Sequence, residues 1–331
     1  MLHFHEKITA DSSQYRGIHP LIALESHQQN VASLVAKALN NLPAASTADD
    51  NGTPDAVIVR NGLERVRKQK PDIVTVTRGP GMRSSLSVGL DTAKGLAVAW
   101  QVPLIAVNHM QAHALTPRLV SALSQDVSVP SDPAFPFLSL LISGGHTLLV
   151  HSKALTEHEI LASTSDIAIG DAIDKIARLL LPPDSLEDAE ESMYGSRLER
   201  FVFPDATTEH HYCAPANKGE QIARKKSRWG WVLGVPFAET HSGSRSDSMN
   251  FSFSGLGSAV KRLVDGSGHE MSTDERKDLA REAMRICFEH LASRVVIALN
   301  SCVDPNLPKA KLVDTLVVSG GVAANGYLRT M

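Results

Sequence analysis

Two histidines, His109 and His113, stand four residues apart in the stretch Asn-His-Met-Gln-Ala-His. In a helix this spacing places both imidazoles on one face, close enough to bind a single metal ion. A metallopeptidase helix would carry a glutamate general base directly after the first histidine, but Met110 occupies that position. The pattern therefore favours metal binding over peptide hydrolysis. A pair of histidines capping a strand-to-helix turn is the alternative.

Two further stretches place Ser-Gly-Gly directly after an apolar run. Ser143-Gly144-Gly145 follows residues 137–142, and Ser319-Gly320-Gly321 follows residues 314–318. Glycine lets backbone amides approach an anion closely, and the serine hydroxyl adds a donor. Each stretch is therefore a candidate cradle for a phosphate or carboxylate. The alternative is a tight turn that needs glycine only for steric reasons.

A helix is predicted over residues 170–180, between the two Ser-Gly-Gly stretches. Its carboxylates Asp171 and Asp174 are three residues apart and share one helical face. They could contact hydroxyl groups of a ligand or a metal-bound water. They could equally be acids of the first helical turn that interact with the helix dipole.

The apolar pattern around the histidine pair predicts an α/β unit. Residues 72–77 and 103–107 are predicted strands, and residues 21–40 and 84–100 are predicted helices. The first strand ends in Arg78-Gly79-Pro80-Gly81, where glycine permits a tight turn into the following helix. Strand, glycine turn and helix together are typical of an α/β fold.

Elements are also predicted near both ends of the chain. Residues 2–8 suggest a short strand, although their alternation is weak. Ser272 and Glu275 form a capping box that predicts a long helix to about residue 300. A further helix is predicted near Val260.

The chain contains two basic segments, residues 60–70 and 224–228. The first is predicted to be a helix with Val57, Leu63 and Val66 on its inner face and a solvated outer face. The second, residues 224–228, lies beside Trp229 and Trp231, a mixture suited either to RNA binding or to an ordinary amphipathic edge. The cations of the first segment are Arg60, Arg65, Arg67, Lys68 and Lys70.

The composition describes a globular protein without a strong overall charge. The chain has 331 residues, 43% of them hydrophobic and 21% charged, with a net charge of −3. Three cysteines are too few and too scattered for a disulfide framework or a zinc ribbon. No apolar run approaches the ~20 residues of a membrane span, so no membrane association is expected. Any nucleic-acid surface must be local rather than general.

The length predicts two lobes rather than one core. A Pro- and Ser-containing link over residues 124–136 suggests the boundary. The first lobe is predicted to span residues 1–133 and to contain the histidine pair. The second is predicted to span residues 134–331, with a polar insertion at about 182–250.

In chain order, these motifs resemble the universal tRNA threonylcarbamoyl transferases of the actin/Hsp70/hexokinase-like ATPase superfamily. They recur in the family's order across nearly the whole chain, and such an ordered set is highly specific. Residues 5–10 and 170–175 are most similar to the mitochondrial branch, whose members are usually homodimers. The matching stretches are residues 77–81, 108–119, 143–147, 170–175, 251–260 and 319–329.

The resemblance implies an activity and a setting. The threonylcarbamoyl group would pass from threonylcarbamoyl-AMP, made by a partner synthase, to the adenosine adjacent to the anticodon of tRNAs reading A-starting codons, forming t6A. The fold would be α/β and two-lobed, actin/Hsp70/hexokinase-like, with mixed sheets flanked by helices. The protein would be a mitochondrial homodimer. A metallopeptidase, or an inactive nucleotide-binding fragment of the transferase, are the alternatives.

The resemblance also implies the site residues. His109 and His113 would bind one divalent metal ion per subunit, iron or zinc, which orients and polarises the threonylcarbamoyl group. Asp174 would contact the ribose, Asn325 the nucleotide, and Gly195 would close over the adenosine. The implied substrate-binding residues are Leu141, Ile142, Ser143, Gly144, Gly145, Asp174, Gly195 and Asn325.

Relative to the family, the chain is expected to be truncated at both ends. Family members begin with a strand and an acidic turn that faces the phosphates. They continue past the second Ser-Gly-Gly stretch to an aspartate that is the third metal ligand. Two histidines without that carboxylate are expected to hold the metal more weakly, which puts the activity of this chain in question.

Overall fold

The structure is a computed structural model that divides the chain into two compact units, Met1–Pro130 and Ser131–Met331. Helices and β-strands are interspersed in each unit, which confirms the predicted α/β class with mixed sheets. The structure describes residues 1–11, 19–45, 56–124, 132–183, 194–204, 210–238, 246–266, 268, 270–302 and 313–331.

The first unit is built around two parallel strands and the helix that connects them. Strand β3 pairs with β4 from Val74↔Leu104 onwards, and α2 crosses between them as in a βαβ unit. The elements are α1 (Pro20–Asn40), β1 (Ala56–Asn61), β2 (Glu64–Gln69), β3 (Val74–Gly79), α2 (Arg83–Trp100), β4 (Leu104–Asn108) and α3 (His109–Ser124).

The close packing of α2 follows from its small residues. Ala93 and Ala97 are its buried residues, and a Cβ added at Gly89 would lie 3.6 Å from the Val76 side chain of β3. The helices predicted over residues 21–40 and 84–100 are confirmed by α1 and α2. Strands β3 and β4 likewise confirm the predicted strands, whereas the short strand predicted over residues 2–8 is wrong.

Residues 56–69 form a β-hairpin, so the helix predicted over this basic segment is wrong. Strands β1 and β2 are antiparallel, and Asn61 pairs with Glu64 across a two-residue turn. Gly62 in that turn has φ of 62°, a left-handed conformation that glycine adopts without steric cost. Glycine at the first position of a two-residue turn is a strong hairpin signal, and it outweighs the apparent helical spacing. Leu63, predicted to face inward, is fully exposed at the turn.

The second unit is organised on a five-stranded mixed sheet with the order β8-β7-β6-β5-β9. The central strand β5 pairs antiparallel with β6 and parallel with β9. The elements are β5 (Phe137–Ile142), β6 (Thr147–Ser152), β7 (His158–Thr164), α4 (Ile169–Leu180), α5 (Tyr194–Val202), α6 (Lys218–Ile222), β8 (Asn250–Phe251), α7 (Ser254–Gly266), α8 (Thr273–Cys302), β9 (Leu316–Ser319), a 3₁₀-helix (Gly321–Ala324) and α9 (Gly326–Thr330).

The core of this unit lies between the sheet and the helices that pack against it. Strand β5 is buried along its whole length, and α4 and α8 contribute Ile176 and Phe288, both almost fully buried. The long helix α8 begins as its capping box predicts, because the Glu275 amide donates to the Ser272 hydroxyl at 3.2 Å. Among the described residues, no helix is long and apolar enough to cross a membrane.

Helix α5 lies within residues 182–250, the predicted polar insertion. Tyr194, Leu198 and Val202 are its buried residues, and they belong to the same core as the sheet. Their spacing of four residues marks one helical face. This short signal is hidden in a sequence that is otherwise polar, which is why the pattern alone did not reveal the helix.

A carboxylate fastens helix α7 to the loop that follows β7. Asp166 accepts hydrogen bonds from the hydroxyls of Ser252 and Ser254, at 2.7 and 2.6 Å, and from three backbone amides. Burial raises the pKa of Asp166, but these hydrogen bonds outweigh burial and lower it to about 2. The ionised side chain therefore stabilises the start of α7.

Candidate functional site

The histidine pair stands at the end of β4, on the first two turns of α3. The side chain of Asn108 caps this helix, since its Oδ1 accepts the amides of Met110 at 2.9 Å and Gln111 at 3.2 Å. Met110 is buried and anchors the helix. The two histidines therefore stand on one helix, which is the condition for a shared face, and the residue that caps the strand-to-helix turn is Asn108.

The two imidazoles are close enough to share one metal ion. Nε2 of His109 lies 3.2 Å from Nε2 of His113, and the ring planes meet at 75°. Two nitrogens bound to one tetrahedral zinc at ~2.0–2.1 Å would be separated by about 3.3 Å, so the observed spacing fits a shared ion. Within the described part of the chain, no group of three His, Cys, Asp or Glu side chains is placed to hold a metal.

A shallow cavity lies at the carboxyl ends of β3 and β4. It has a volume of about 340 Å³ and is lined by Arg78, Gly79, Ala106, Asn108 and Gln111. The carboxyl ends of parallel strands are where α/β sheets commonly bind ligands. The cap residue of the histidine helix therefore also faces a polar cavity with one cationic side chain.

In the second unit the two Ser-Gly-Gly stretches follow neighbouring strands. Strands β5 and β9 run parallel, and Leu141 pairs with Ser319. Both stretches therefore leave the same edge of the sheet side by side.

The first Ser-Gly-Gly stretch is the turn of the β5–β6 hairpin. Ser143 Oγ accepts the amides of Gly145 at 3.3 Å and His146 at 3.0 Å, and the Ser143 amide donates to the His146 carbonyl at 2.8 Å. The serine hydroxyl and two of the loop amides thus stabilise the turn itself. The loop keeps its shape through internal hydrogen bonds.

Two glycines allow the backbone of other elements to approach this edge of the sheet. A Cβ at Gly320 would lie 2.1 Å from the Ile142 carbonyl oxygen, and Gly320 has φ of 104°. A Cβ at Gly170, in the first turn of α4, would lie 2.7 Å from both the Gly144 amide nitrogen and the Ser143 carbonyl oxygen. Glycine at these two positions is therefore a steric requirement.

These elements enclose a cavity of about 200 Å³ in the second unit. Its walls come from both Ser-Gly-Gly stretches, from α4 and α5, and from the start of α9. The lining residues are Gly144, Gly170, Ile173, Asp174, Gly195, Ser196, Glu199, Gly321, Val322, Ala324 and Asn325.

Two carboxylates face this cavity, and both are held by backbone amides. Asp174 Oδ1 accepts the Gly195 amide at 2.9 Å, which joins α4 to α5. Glu199 Oε1 accepts the amide of Gly326 at 2.6 Å, at the first residue of α9. Burial raises the pKa of Asp174, opposed by the Gly195 hydrogen bond and the charge of Arg178. These hydrogen bonds fix both carboxylates in place, and each carboxylate has a second oxygen that can accept a hydrogen bond from a ligand.

The cavity is therefore largely apolar, with acidic hydrogen-bond acceptors at Asp174 and Glu199. The described residues that line it include two carboxylates and neither lysine nor arginine. Such a lining favours the hydroxyl and amino groups of a ligand, because carboxylates accept hydrogen bonds and repel anions. Backbone amides of the glycine stretches are the donors available nearby.

The predicted substrate-binding residues separate into two groups. Gly144, Asp174, Gly195 and Asn325 line the cavity together. Leu141 and Ile142 are buried within β5, Ser143 stabilises the turn, and Gly145 is exposed. Only the first group lines the cavity, and the substrate-binding role of all eight residues stays a prediction.

Asp171 and Asp174 do not act as a pair. Asp171 forms an ion pair with Lys175 at 2.8 Å, whereas Asp174 faces the cavity. Sequence reasoning missed Glu199, Ile173 and Ser196. A signal for Glu199 was present, because Glu199 lies four residues after Gly195 and so shares its face of α5.

The second basic segment is engaged within the protein. Arg228 Nε lies 2.8 Å from Asp278 Oδ2, and Trp229 Nε1 donates to the same oxygen at 2.9 Å. The Arg228 guanidinium also covers the Trp229 ring at 4.8 Å, and Lys225 lies 3.5 Å from Glu220. These contacts favour the interpretation of this segment as an amphipathic edge.

Comparison with known proteins agrees with the features of both units. The profile of the tRNA N6-adenosine threonylcarbamoyltransferase family matches residues 59–331, which include the histidine pair and the cavity. A relative from Schizosaccharomyces pombe, named "tRNA N6-adenosine threonylcarbamoyltransferase, mitochondrial", is 34% identical over 318 residues, covering 96% of this chain and 61% of the relative. A Danio rerio protein of the same name is 30% identical, covering 95% and 64%.

Bacterial proteins are similar as well. A tRNA N6-adenosine threonylcarbamoyltransferase from Chelativorans sp. is 32% identical over 320 residues, covering 96% of this chain and 69% of that protein. An α/β protein with a histidine pair and a glycine-bordered acidic cavity is thus matched over most of its length by one family. The chain belongs to the tRNA N6-adenosine threonylcarbamoyltransferase family. It spans somewhat under two thirds of the length of the two eukaryotic relatives.

Proposed function

We propose that the protein transfers the threonylcarbamoyl group from threonylcarbamoyl-AMP to the adenosine adjacent to the anticodon of tRNAs that read A-starting codons, forming t6A. The observation that carries this proposal is the family match over residues 59–331. The peptidase alternative is not favoured, because Met110 is buried where a glutamate base would stand.

The cavity in the second unit would bind the nucleoside part of threonylcarbamoyl-AMP. Asp174 and Glu199 would accept hydrogen bonds from hydroxyl or amino groups, and each is already oriented by a backbone amide. Ile173 and Val322 supply apolar surface for a base. Orientation by existing hydrogen bonds reduces the entropy lost on binding.

One divalent ion, iron or zinc, would be held by His109 and His113. The bound ion would act as a Lewis acid that polarises the threonylcarbamoyl group. The spacing of the two Nε2 atoms supports this role, and Asn108 fixes the start of the helix that presents both rings. Arg78 lines the cavity beside that helix start and would attract an anionic group there.

The setting of this reaction is also part of the proposal. A partner synthase would supply threonylcarbamoyl-AMP, and the protein would act as a homodimer with the two-lobed actin/Hsp70/hexokinase-like fold. The two eukaryotic relatives are named mitochondrial, which supports a mitochondrial location.

The test is the reaction itself, carried out with the full-length gene product. The protein is incubated with threonylcarbamoyl-AMP, zinc or ferrous iron, and a tRNA transcript that reads A-starting codons. Nucleosides from the digested tRNA are then analysed by mass spectrometry for t6A. A transcript with guanosine next to the anticodon is the control, and unmodified adenosine in the first transcript would overturn the proposal.

A matched pair of variants on α4 tests the role of the cavity. Asp174→Asn is expected to raise the KM for threonylcarbamoyl-AMP by about tenfold or more, because a hydrogen bond to a charged group contributes ~1.5–3 kcal/mol. Asp171→Asn removes the same charge one turn away, outside the cavity lining, and should leave KM within about twofold. Equal effects of both variants would contradict the assignment.

A further inference from the structure

The β1–β2 hairpin separates its residues onto two faces. Pairs directly opposite each other across the strands share a face, and successive pairs alternate. The pair Val59↔Val66 lies on the inner face, where Val59 is buried. The pairs on the outer face are Ala56↔Gln69, Ile58↔Arg67 and Arg60↔Arg65.

The outer face is basic and exposed. Arg60, Arg65 and Arg67 are all exposed, and the face contains no acidic residue. Neither an ion pair nor a side-chain hydrogen bond is formed by any of the three arginines within the ranges that the structure describes. Their charge is therefore available to an external anion.

Several other exposed cations in the chain are compensated by neighbouring carboxylates. Lys37 pairs with Glu6, Lys94 with Asp91 at 3.2 Å, and Lys261 with Asp265. The second basic segment is compensated through Asp278 and Glu220. The hairpin thus differs from these sites because its outer face contains cations without an acidic residue, and not merely because it has more cations.

The arrangement of the arginines costs the hairpin some stability. Arg60 and Arg65 are directly opposite each other, and like charges in such a pair repel and destabilise the hairpin. A repulsive cross-strand pair that no described contact within the protein offsets is typical of a binding surface. A polyanion laid across the face would remove the repulsion.

We propose that the outer face of the β1–β2 hairpin, formed by Arg60, Arg65 and Arg67, binds the phosphate backbone of the tRNA. Guanidinium groups suit this partner, because each can contact a phosphate with two parallel hydrogen bonds. Arg65 and Arg67 are two residues apart on one strand, so they lie about 7 Å apart and can reach successive groups of a chain. This inference rests on the proposed function, which supplies the polyanion.

Exposed apolar surface beside the arginines fits the same partner. Ile58 is 67% exposed and lies opposite Arg67 on the outer face. Its side chain can pack against a ribose or a base edge, while the arginines contact phosphates. Contacts of this kind position an RNA without reading its sequence.

Binding of a tRNA transcript is measured as a function of salt, using the full-length protein and the variant with Arg60→Gln, Arg65→Gln and Arg67→Gln. Each phosphate contact contributes about 0.7 to 0.9 to the slope of log K against log salt, so the variant's slope should be smaller by about 2 to 3. Between about 50 and 200 mM salt, the wild-type affinity should fall roughly 20- to 40-fold more than that of the variant.

Two control variants separate local contacts from net charge and from folding. Lys37→Gln, Lys94→Gln and Lys261→Gln together change the net charge equally but remove cations that already have partners, so the salt slope should be that of the wild type. Replacing the three hairpin arginines by lysine keeps their charge and should retain most of the slope. Equal losses in the two triple-glutamine variants would overturn the proposal, and so would a lysine variant as weak as the glutamine one.

The failure of this inference is distinguishable from failure of the proposed function. If the wild type forms t6A while the hairpin glutamine variant keeps the wild-type slope, only the hairpin assignment is wrong. If the wild type forms no t6A although its tRNA binding depends on the hairpin, only the transferase proposal is wrong. Vesicles containing phosphatidylserine should not distinguish the variant from the wild type. Loss of vesicle binding with unchanged tRNA binding would assign the face to a membrane instead.

Discussion

Replacing Gly170 by alanine tests the close approach of helix α4 to the first Ser-Gly-Gly stretch. The added Cβ would lie 2.7 Å from the Gly144 amide nitrogen and the Ser143 carbonyl oxygen, and 2.8 Å from the Gly144 Cα atom. All three are main-chain atoms, so no flexible side chain can move aside. To reach ordinary contact at 3.4 Å, the loop or the helix must shift by about 0.7 Å.

The expected cost follows from two opposing contributions. Forcing an extra carbon into a packed interface costs ~1–3 kcal/mol, whereas alanine stabilises a helix by ~1 kcal/mol relative to glycine. The net effect is a loss of about 1 kcal/mol in the free energy of unfolding. Because Gly144 lines the cavity, the same shift should lower the affinity for AMP by about fivefold, which corresponds to ~1 kcal/mol.

Gly257→Ala is the matched control. Gly257 also lies in a helix, α7, but a Cβ added there would meet no atom of another described element within 4 Å. Alanine at this position should stabilise the protein by about 0.5–1 kcal/mol. The two variants share the helix-propensity gain, so their difference, about 1.5–2 kcal/mol, isolates the steric cost.

Urea denaturation followed by circular dichroism measures the stability, and isothermal titration calorimetry measures AMP binding. If Gly170→Ala unfolds at the same urea concentration as Gly257→Ala and binds AMP as the wild type does, α4 does not approach the Ser143-Gly144-Gly145 loop closely. A loss of stability with unchanged AMP affinity would show that α4 moves instead of the loop. That result would support the close approach of α4 to the loop, but it would show that this approach does not affect AMP binding in the cavity.

Three further predictions concern other parts of the chain. The pKa of Asp166 is lowered to about 2, so the stability that its ionised form contributes is present above pH ~4 and is lost as the pH falls from about 4 to 2. Asp166→Asn should therefore lower the free energy of unfolding by about 1 kcal/mol near neutral pH, after allowance for solvent screening, and by less at about pH 3. Urea titrations at the two pH values will measure the difference. His113→Ala should lower the bound zinc measured by mass spectrometry after gel filtration, whereas Gln111→Ala should not. Gly62→Ala should destabilise the hairpin by about 1 kcal/mol, because alanine at positive φ is strained, and should increase hydrogen exchange across β1 and β2.

Much of the fold could be predicted from the sequence because its elements follow simple periodicities. The helical spacing of residues 21–40 and the β-branched run of residues 72–77 each correspond to an observed element. Helix α5 was missed for a physical reason. Its three buried side chains lie in a polar stretch, and their burial depends on a core assembled from distant parts of the chain.

The candidate site was predictable only in part, for a similar reason. Residues that follow strands, such as Gly144, and the cavity-facing Asp174 were identified because each belongs to a recognisable local motif. The spacing of Glu199 from Gly195 becomes informative only when α5 is known to be a helix, and the position of its carboxylate depends on a hydrogen bond to Gly326, 127 residues further along the chain. Such pairings come from tertiary structure and leave no local pattern.

The basic segment at residues 56–69 shows how the type of element decides what a set of charges can do. In a helix, successive residues are ~100° apart, so Arg65 would point well away from Arg60 and Arg67. In the observed hairpin all three lie on one exposed face, because the alternation of strands and the register Arg60↔Arg65 bring them together. The same residues are a scattered solvated surface in one element and a single binding face in the other. The turn at Gly62, which selects the hairpin, therefore also creates the proposed RNA-binding face.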